Sequence, residues 1–292
     1  MTDAAIPHEA GVSGAARTRR AWVRVAIPAL LLTIYIGQCF WFIRTQSLTY
    51  DEPVHIAEGL DAWRNGRFEQ YNDHPPLARL LCTLLLIGSK WQVQVEQLPD
   101  GFRIHRVDPD PIALAWRARA VNVFLGLLLG LLLWMEARNW FSPQAANFSL
   151  ALFACSPSLI AHFSLATTDG AATLLIFATA VQVRRWYNQP SWKNTFQIGV
   201  VLGLLLLAKF STLAMFVLAI VWLLALVQGH ISFRPWRWNW RRVSVALALA
   251  LAVLWAGYFF HVSRLTIRDG VLTVTHPNWT APMVKPARTD AD

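Results

Sequence analysis

VAIPALLLTIYIGQCFWFI, Val25 to Ile43, is the stretch that decides the fold class. It runs without a charge, and a helix that crosses hydrocarbon needs about 20 apolar residues. A cleaved signal peptide would carry a shorter apolar core and a small-residue cleavage site. Neither is present, so the stretch reads as an anchoring first span. Outward from it, further uncharged runs cover Ala120–Met135, Phe141–Thr168, Gly170–Val183, Asn194–Ala208, Phe210–Gly229 and Val243–Phe260. Backbone groups in lipid must be satisfied within their own segment, so these runs are expected as helices. The expected fold is an all-α membrane protein of about seven transmembrane helices. A large first extracytoplasmic loop, 44–119, holds amphipathic juxtamembrane helices.

The composition agrees. Of 292 residues 55% are hydrophobic and only 15% charged, and the charges gather between the runs instead of scattering. The net charge of +9 suits basic residues at cytoplasmic helix ends and near anionic lipid heads, so a nucleic-acid partner is not expected. Fifteen tryptophans fit the membrane–water interface, which favours indole rings. Cys39, Cys82 and Cys155 are an odd number without metal-type spacing and form no disulfide framework. Residues 1–20 read as a disordered cytoplasmic tail, 21–260 as the membrane domain, and 261–292 as a polar extracytoplasmic tail. With the amino terminus inside, Arg138, then Arg184, Arg185 and Lys193, then Arg234, Arg237, Arg241 and Arg242 fall on the cytoplasmic side, as bias in short loops requires. Gly126/Gly130 and Gly199/Gly203 form two Gly-x-x-x-Gly pairs, a weak signal for close helix packing.

The loop 44–119 carries the chemistry, because a connection of that length wants a function. It opens Thr49-Tyr50-Asp51-Glu52-Pro53-Val54-His55. Pro53 suits a first helical turn, and the acidic pair sits at the positive end of that helix's dipole. Ile56, Leu60 and Trp63 then share one face, leaving Glu58, Asp61, Arg64 and Asn65 on the surface of a helix lying along the bilayer, which Asn65-Gly66 ends. Asp73-His74-Pro75-Pro76-Leu77-Ala78-Arg79 follows, and a second short surface helix is expected from Leu77 to about Gly88. Two readings stand for these residues. Asp51 and Glu52 are either helix caps or catalytic carboxylates. His55 either pairs with them at helical spacing or helps to hold a metal, and His74 is either a site residue or a turn residue.

Asp51-Glu52 followed by His74-Pro75-Pro76-Leu77 resembles the first extracytoplasmic loop of the protein O-mannosyltransferase family. The bacterial aminoarabinose transferases of the same C-type glycosyltransferase superfamily share the plan. His162-Phe163-Ser164-Leu165-Ala166-Thr167-Thr168-Asp169 is similar to the family's second acidic position in a short outer loop. Gly199-x-x-x-Gly203 leading to Ala208-Lys209-Phe210-Ser211 is similar to its Gly-rich helix ending in Lys. The resemblance covers most of Arg44 to Phe260. It implies a multi-pass inner-membrane transferase, amino terminus cytoplasmic, that moves a sugar from a polyprenyl phosphate to an acceptor hydroxyl at the outer face, with inversion. The acceptor is a protein, a lipid or a glycan. On this resemblance Asp51 is the base, Glu52 orients it or a metal ion, and Asp169 faces it across the site. His55, His74, Arg79 and Lys209 bind substrate. A divalent metal is left open as cofactor. Lys209 has a second reading, snorkelling to the interface.

Members of the superfamily usually continue with more membrane helices and often a soluble domain. A chain ending at Asp292 is therefore expected to be a truncated product, a half that needs a partner, or a degenerate relative. Two rival functions follow. A transporter would carry ionisable residues in mid-span, where this sequence has only His162. A non-catalytic or partner-dependent membrane subunit fits the short length.

Overall fold

A computed structural model describes residues 10–66, 68, 74–98, 101–108, 110–212, 239–261, 264–268 and 271–275. The chain is mostly helical. In order it forms α1 (Ala10–Thr45), α2 (Glu52–Asn65), α3 (Leu77–Cys82), the hairpin β1 (Gln92–Leu98) and β2 (Gly101–Asp108), and α4 (Pro111–Trp140). Then come α5 (Pro143–Ala154), α6 (Pro157–Phe163), α7 (Thr168–Asn188), α8 (Trp192–Ala208), α9 (Trp240–Gly257), and a second hairpin, β3 (Arg264–Arg268) with β4 (Val271–Thr275).

Proline and short polar residues set the helix starts. α2, α4, α5 and α6 each have proline in the first two positions, where a missing N–H costs nothing. The Asp110 carboxylate accepts from Ile112 N at 2.9 Å, and Ser142 and Ser191 cap α5 and α8 in the same way. These side chains satisfy the orphan donors of the first turn.

Val25–Thr45, Pro111–Trp140 and Trp240–Gly257 are long and apolar enough to cross a membrane, and the bent pair α5–α6 would make a fourth. The run Phe141–Thr168 reads as one span but is broken at Cys155-Ser156-Pro157, with a 64° bend. The carbonyl of Ala154 beside the break is taken up by Gln38 Nε2 at 2.9 Å. α8, at 17 residues, is apolar but shorter. Beyond Thr212 the expected span Phe210–Gly229 lies outside the described residues, as do Arg234 and Arg237.

Three further differences from the sequence reading have physical causes. First, the chain is not all-α, since two antiparallel hairpins are present. Second, helical order in α1 reaches back to Ala10, into the stretch read as a disordered tail. Third, α2 does not lie on the surface with its polar face free. It packs against α3 and β1, and Glu58 is buried with it. The second loop helix stops at Cys82 and passes through a 3₁₀ turn, Leu84–Leu86. Gly66 ends α2 as expected, at φ 64° with its N–H on Ala62 O.

Two larger apolar cores and a smaller third, Ala62, Leu80 and Phe259, hold the described residues together. Of the larger two, one joins α1, α4, α5, α6 and α7 through Tyr35, Leu129, Leu150, Phe153 and Phe163. The other sits under the loop and joins Ile56, Leu60, Leu86, Trp91, Leu114 and Ala166. Both glycine pairs are points of close approach. A Cβ on Gly199 would lie 2.8 Å from Ala246 O, and one on Gly203 2.7 Å from Ala250 O, which presses α8 against α9. Gly126 and Gly130 make the same room for Tyr35 and Phe153.

Gly203→Val should therefore push α8 off α9 and cost about 1–3 kcal/mol, read as a lower unfolding temperature in detergent. Gly37→Ala, where a Cβ meets nothing within 4 Å, should show no loss.

Candidate active site

The site is built around a carboxylate that is wholly enclosed. Glu52, the first residue of α2, is 0% exposed. Its Oε1 and Oε2 accept from Arg119 Nε and Nη2, both at 2.7 Å, the two-pronged geometry in which guanidinium and carboxylate match best. Oε2 also accepts from Thr49 N at 2.8 Å and Thr49 Oγ1 at 3.0 Å, and Oε1 from Ala166 N at 2.8 Å. Arg119, also 0% exposed, gives its remaining donors to the carbonyls of Gln46 at 2.9 Å and Ser47 at 2.6 Å. Burial works to raise the Glu52 pKa, but the Arg119 hydrogen bonds and charge with the two backbone N–H groups outweigh it and hold the carboxyl below its ordinary range.

Asp51 is the contrast. It occupies the N-cap position of α2, yet its side chain makes no cap hydrogen bond, because its backbone is already helical (φ −86°, ψ −25°). The carboxylate is exposed. Of the two readings of the acidic pair, capping by Asp51 is thus excluded, and Glu52 is committed to Arg119.

The second acidic position gathers cations. Asp169 Oδ1 lies 2.5 Å from Lys209 Nζ, and Asp169 Oδ2 lies 3.4 Å from His162 Nδ1. Burial pushes the Asp169 carboxyl up, but Lys209 first, then His162 and His74, outweigh it and leave its pKa lowered. His74 also faces His55, their rings 5.9 Å apart. The loop before Asp169 is fixed from two sides, by Ala166 on Glu52 and by Asn122 Nδ2, which donates to the carbonyls of Leu165 and Thr167. Asp169, His74, His162, Lys209 and His55 are therefore drawn towards one end of the helices, with Asp51 at the mouth of α2. Among the described residues no three of His, Cys, Asp and Glu are grouped as a metal would need.

Arg79 is engaged elsewhere. It is buried, with Nε 2.5 Å from Glu58 Oε2 between α2 and α3. Gly59 permits that approach, since a Cβ there would lie 2.6 Å from Thr83 Oγ1. In the sequence Arg119 closes the loop 44–119. It lies more than two turns inside α4, and an arginine inside an apolar helix is itself a signal. His162 was read as part of a motif without a role, and the structure pairs it with Asp169.

Residues 113–257 match the family profile described as dolichyl-phosphate-mannose-protein mannosyltransferase. Among solved structures, the S. cerevisiae protein O-mannosyltransferase Pmt1-Pmt2 complex bound to the sugar donor shares the fold, with a TM-score of 0.51 at 19% identity. The match covers 83% of this chain and 34% of that one, so the chain spans about a third of the length of its structural neighbour. No curated protein matches.

Replacing Arg119 with Met would strand Glu52 in the interior, at a cost of about 3–5 kcal/mol. The pH profile of stability should also change. In the parent the lowered Glu52 pKa gives a contribution that is full above the ordinary carboxylate value and fades as pH falls through the lowered one. In Arg119→Met the Thr49 and Ala166 N–H groups remain while the guanidinium's hydrogen bonds and charge are gone, so burial gains weight and the loss of stability in acid should shrink or reverse. Thermal unfolding across about pH 4 to 8 checks this.

Proposed function

We propose, for a chain that is like the dolichyl-phosphate-mannose-protein mannosyltransferases in family and in fold, that it is a glycosyltransferase of the outer face of the inner membrane. It moves a sugar from a polyprenyl-phosphate donor to an acceptor hydroxyl, with inversion. One observation carries this reading: Asp51, whose carboxylate makes no cap hydrogen bond, adjoins Glu52, and Glu52 holds Ala166 in the link that leads to the carboxylate–cation pair Asp169–Lys209.

The chemistry needs few parts. A polyprenyl phosphate leaves without protonation, so displacement at the sugar carbon calls for one base on the acceptor's proton. Asp51 is that base, and Glu52, locked to Arg119, holds it at the head of α2. Charge building on the leaving phosphate needs a cation. Between the two candidates the observed pairing favours Lys209, whose side chain is 29% exposed, over Arg79, at 7% and held by Glu58. Asp169 keeps the ammonium aimed, and His74 and His162 complete the polar wall beside it. His55 lines the approach along α2. The acidic residues lie at helix ends rather than in mid-span, which argues against a transport pathway.

A second reading is kept for one reason. The chain corresponds to about a third of its neighbour, and that neighbour is a complex of two proteins. A subunit active only with a partner would carry the same site and show no transfer alone.

Sugar transfer from radiolabelled polyprenyl-phosphate sugars, measured in membranes with this chain, is the direct check. Asp51→Asn should reduce transfer by at least about a hundredfold, the weight of a general base, with insertion unchanged. Lys209→Met should also abolish transfer, whereas Lys209→Arg should keep part of it. Full activity in Asp51→Asn would sink the assignment. No transfer by the parent alone, restored by a partner, would select the second reading.

A further inference from the structure

The last turn of α9 adopts a backbone that the other described residues outside glycine avoid. Phe259 and Phe260 have φ of 51° and 61°, the only positive values at non-glycine positions among them. The reason is a helix cap. Phe259 N–H bonds Ala256 O at 2.9 Å and Phe260 N–H bonds Trp255 O at 3.0 Å, after Tyr258 at the C-cap. This is the paired bonding of a Schellman cap, whose left-handed residue is ordinarily glycine because a Cβ is strained there. The nearby glycine, Gly257, is used differently: a Cβ on it would run into the Leu207 side chain.

What the strain sustains is visible in the ring. Phe259 is 9% exposed and lies 5.4 Å from Trp63 and 5.1 Å from Phe68, ring centre to ring centre. Ala62 and Leu80 close the cluster, and Trp63 Nε1 donates to Leu80 O at 3.0 Å. Phe68 also meets Tyr258 at 5.4 Å and His261 at 5.3 Å. One aromatic knot thus binds the end of α2 and the middle of α3 to the end of α9. α9 in turn lies against α8, whose C-cap is Lys209.

We infer that Phe259 is a positioning residue: its ring latches α2, which carries Asp51 and His55, to the α8–α9 pair, which carries Lys209. The strained cap persists because glycine would relax the backbone and release the latch. This inference rests on the roles assigned above to Asp51 and Lys209.

Phe259→Gly separates the latch from the cap. Amide hydrogen exchange on the full chain in detergent should show α2 exchanging about tenfold faster in the variant, as a lost packing contact would give. The amides of residues 258–261 should stay as protected as in the parent. Transfer at saturating donor should fall about tenfold through loss of alignment, with the donor KM within about twofold. Phe259→Tyr should restore both. Trp63→Ala breaks the same contact from α2 without touching the strained backbone, and decides the matter if Phe259→Gly does not fold. Unchanged α2 exchange in the folded variants, or faster exchange with undiminished transfer, would overturn the inference. If the parent transfers no sugar even with a partner supplied, the functional reading fails, while the exchange result still decides the latch.

Discussion

The ion pair between Glu52 and Arg119 is the constraint from which the outer end of this molecule follows. Both side chains are cut off from water, and taking two charges out of water costs several kcal/mol apiece unless every polar atom finds a partner. Here the partners come from three places. Gln46 and Ser47 close off the exit of α1, Thr49 belongs to the turn into α2, and Ala166 belongs to the link between α6 and α7. Any displacement of one segment leaves a buried donor or acceptor bare, so these three segments and α4, which carries Arg119, are held in a single arrangement. An apolar cluster of equal volume would hold them together, but it would not fix their register to one hydrogen bond.

The ends of the helices are chemically unlike. One gathers Asp51, His55, His74, Asp169 and Lys209. The other gathers Glu136, which is buried and paired with Arg184 and Arg185, and cations stacked on tryptophan. Arg184 lies 3.9 Å over Trp140, Arg138 5.2 Å over Trp134, and Arg241 and Arg242 each 5.7 Å from Trp192. Arginine on indole keeps the charge near lipid heads while the ring meets hydrocarbon. The sequence argument for sidedness used only the number of basic residues. The structure adds that they and the site residues are drawn to opposite ends.

Much of this was legible because it depends on local rules. Uncharged runs located α1, α4, α8 and α9, Pro53 and Gly66 bounded α2, and the glycine pairs marked close approach. The hairpins were just as local and were passed over. Gln92–Leu98 alternates, then Pro99-Asp100-Gly101 supplies a turn; Asp269-Gly270 sits between two alternating runs in the same way. The division of labour within the acidic pair was not legible. Nothing in Asp51-Glu52 says which carboxylate turns inward, because that depends on Arg119, 67 residues further on. The Arg79 pairing was hidden for the same reason, since Glu58 faces it only after α2 and α3 pack.

On the proposed reading, the Asp169–Lys209 contact has a further consequence. Asp169 stays ionised beside the ammonium, its pKa lowered chiefly by Lys209 against the pull of burial. The pair therefore stores a cation at the membrane face without committing it. When a phosphate carrying more negative charge than one carboxylate arrives, Lys209 can turn to it, and His162 and His74 remain to hold Asp169. Arg79 lacks that freedom: it is buried, and leaving Glu58 would break a buried ion pair, which is costly. On that reading exposure and pairing, rather than charge, would decide which cation serves the donor.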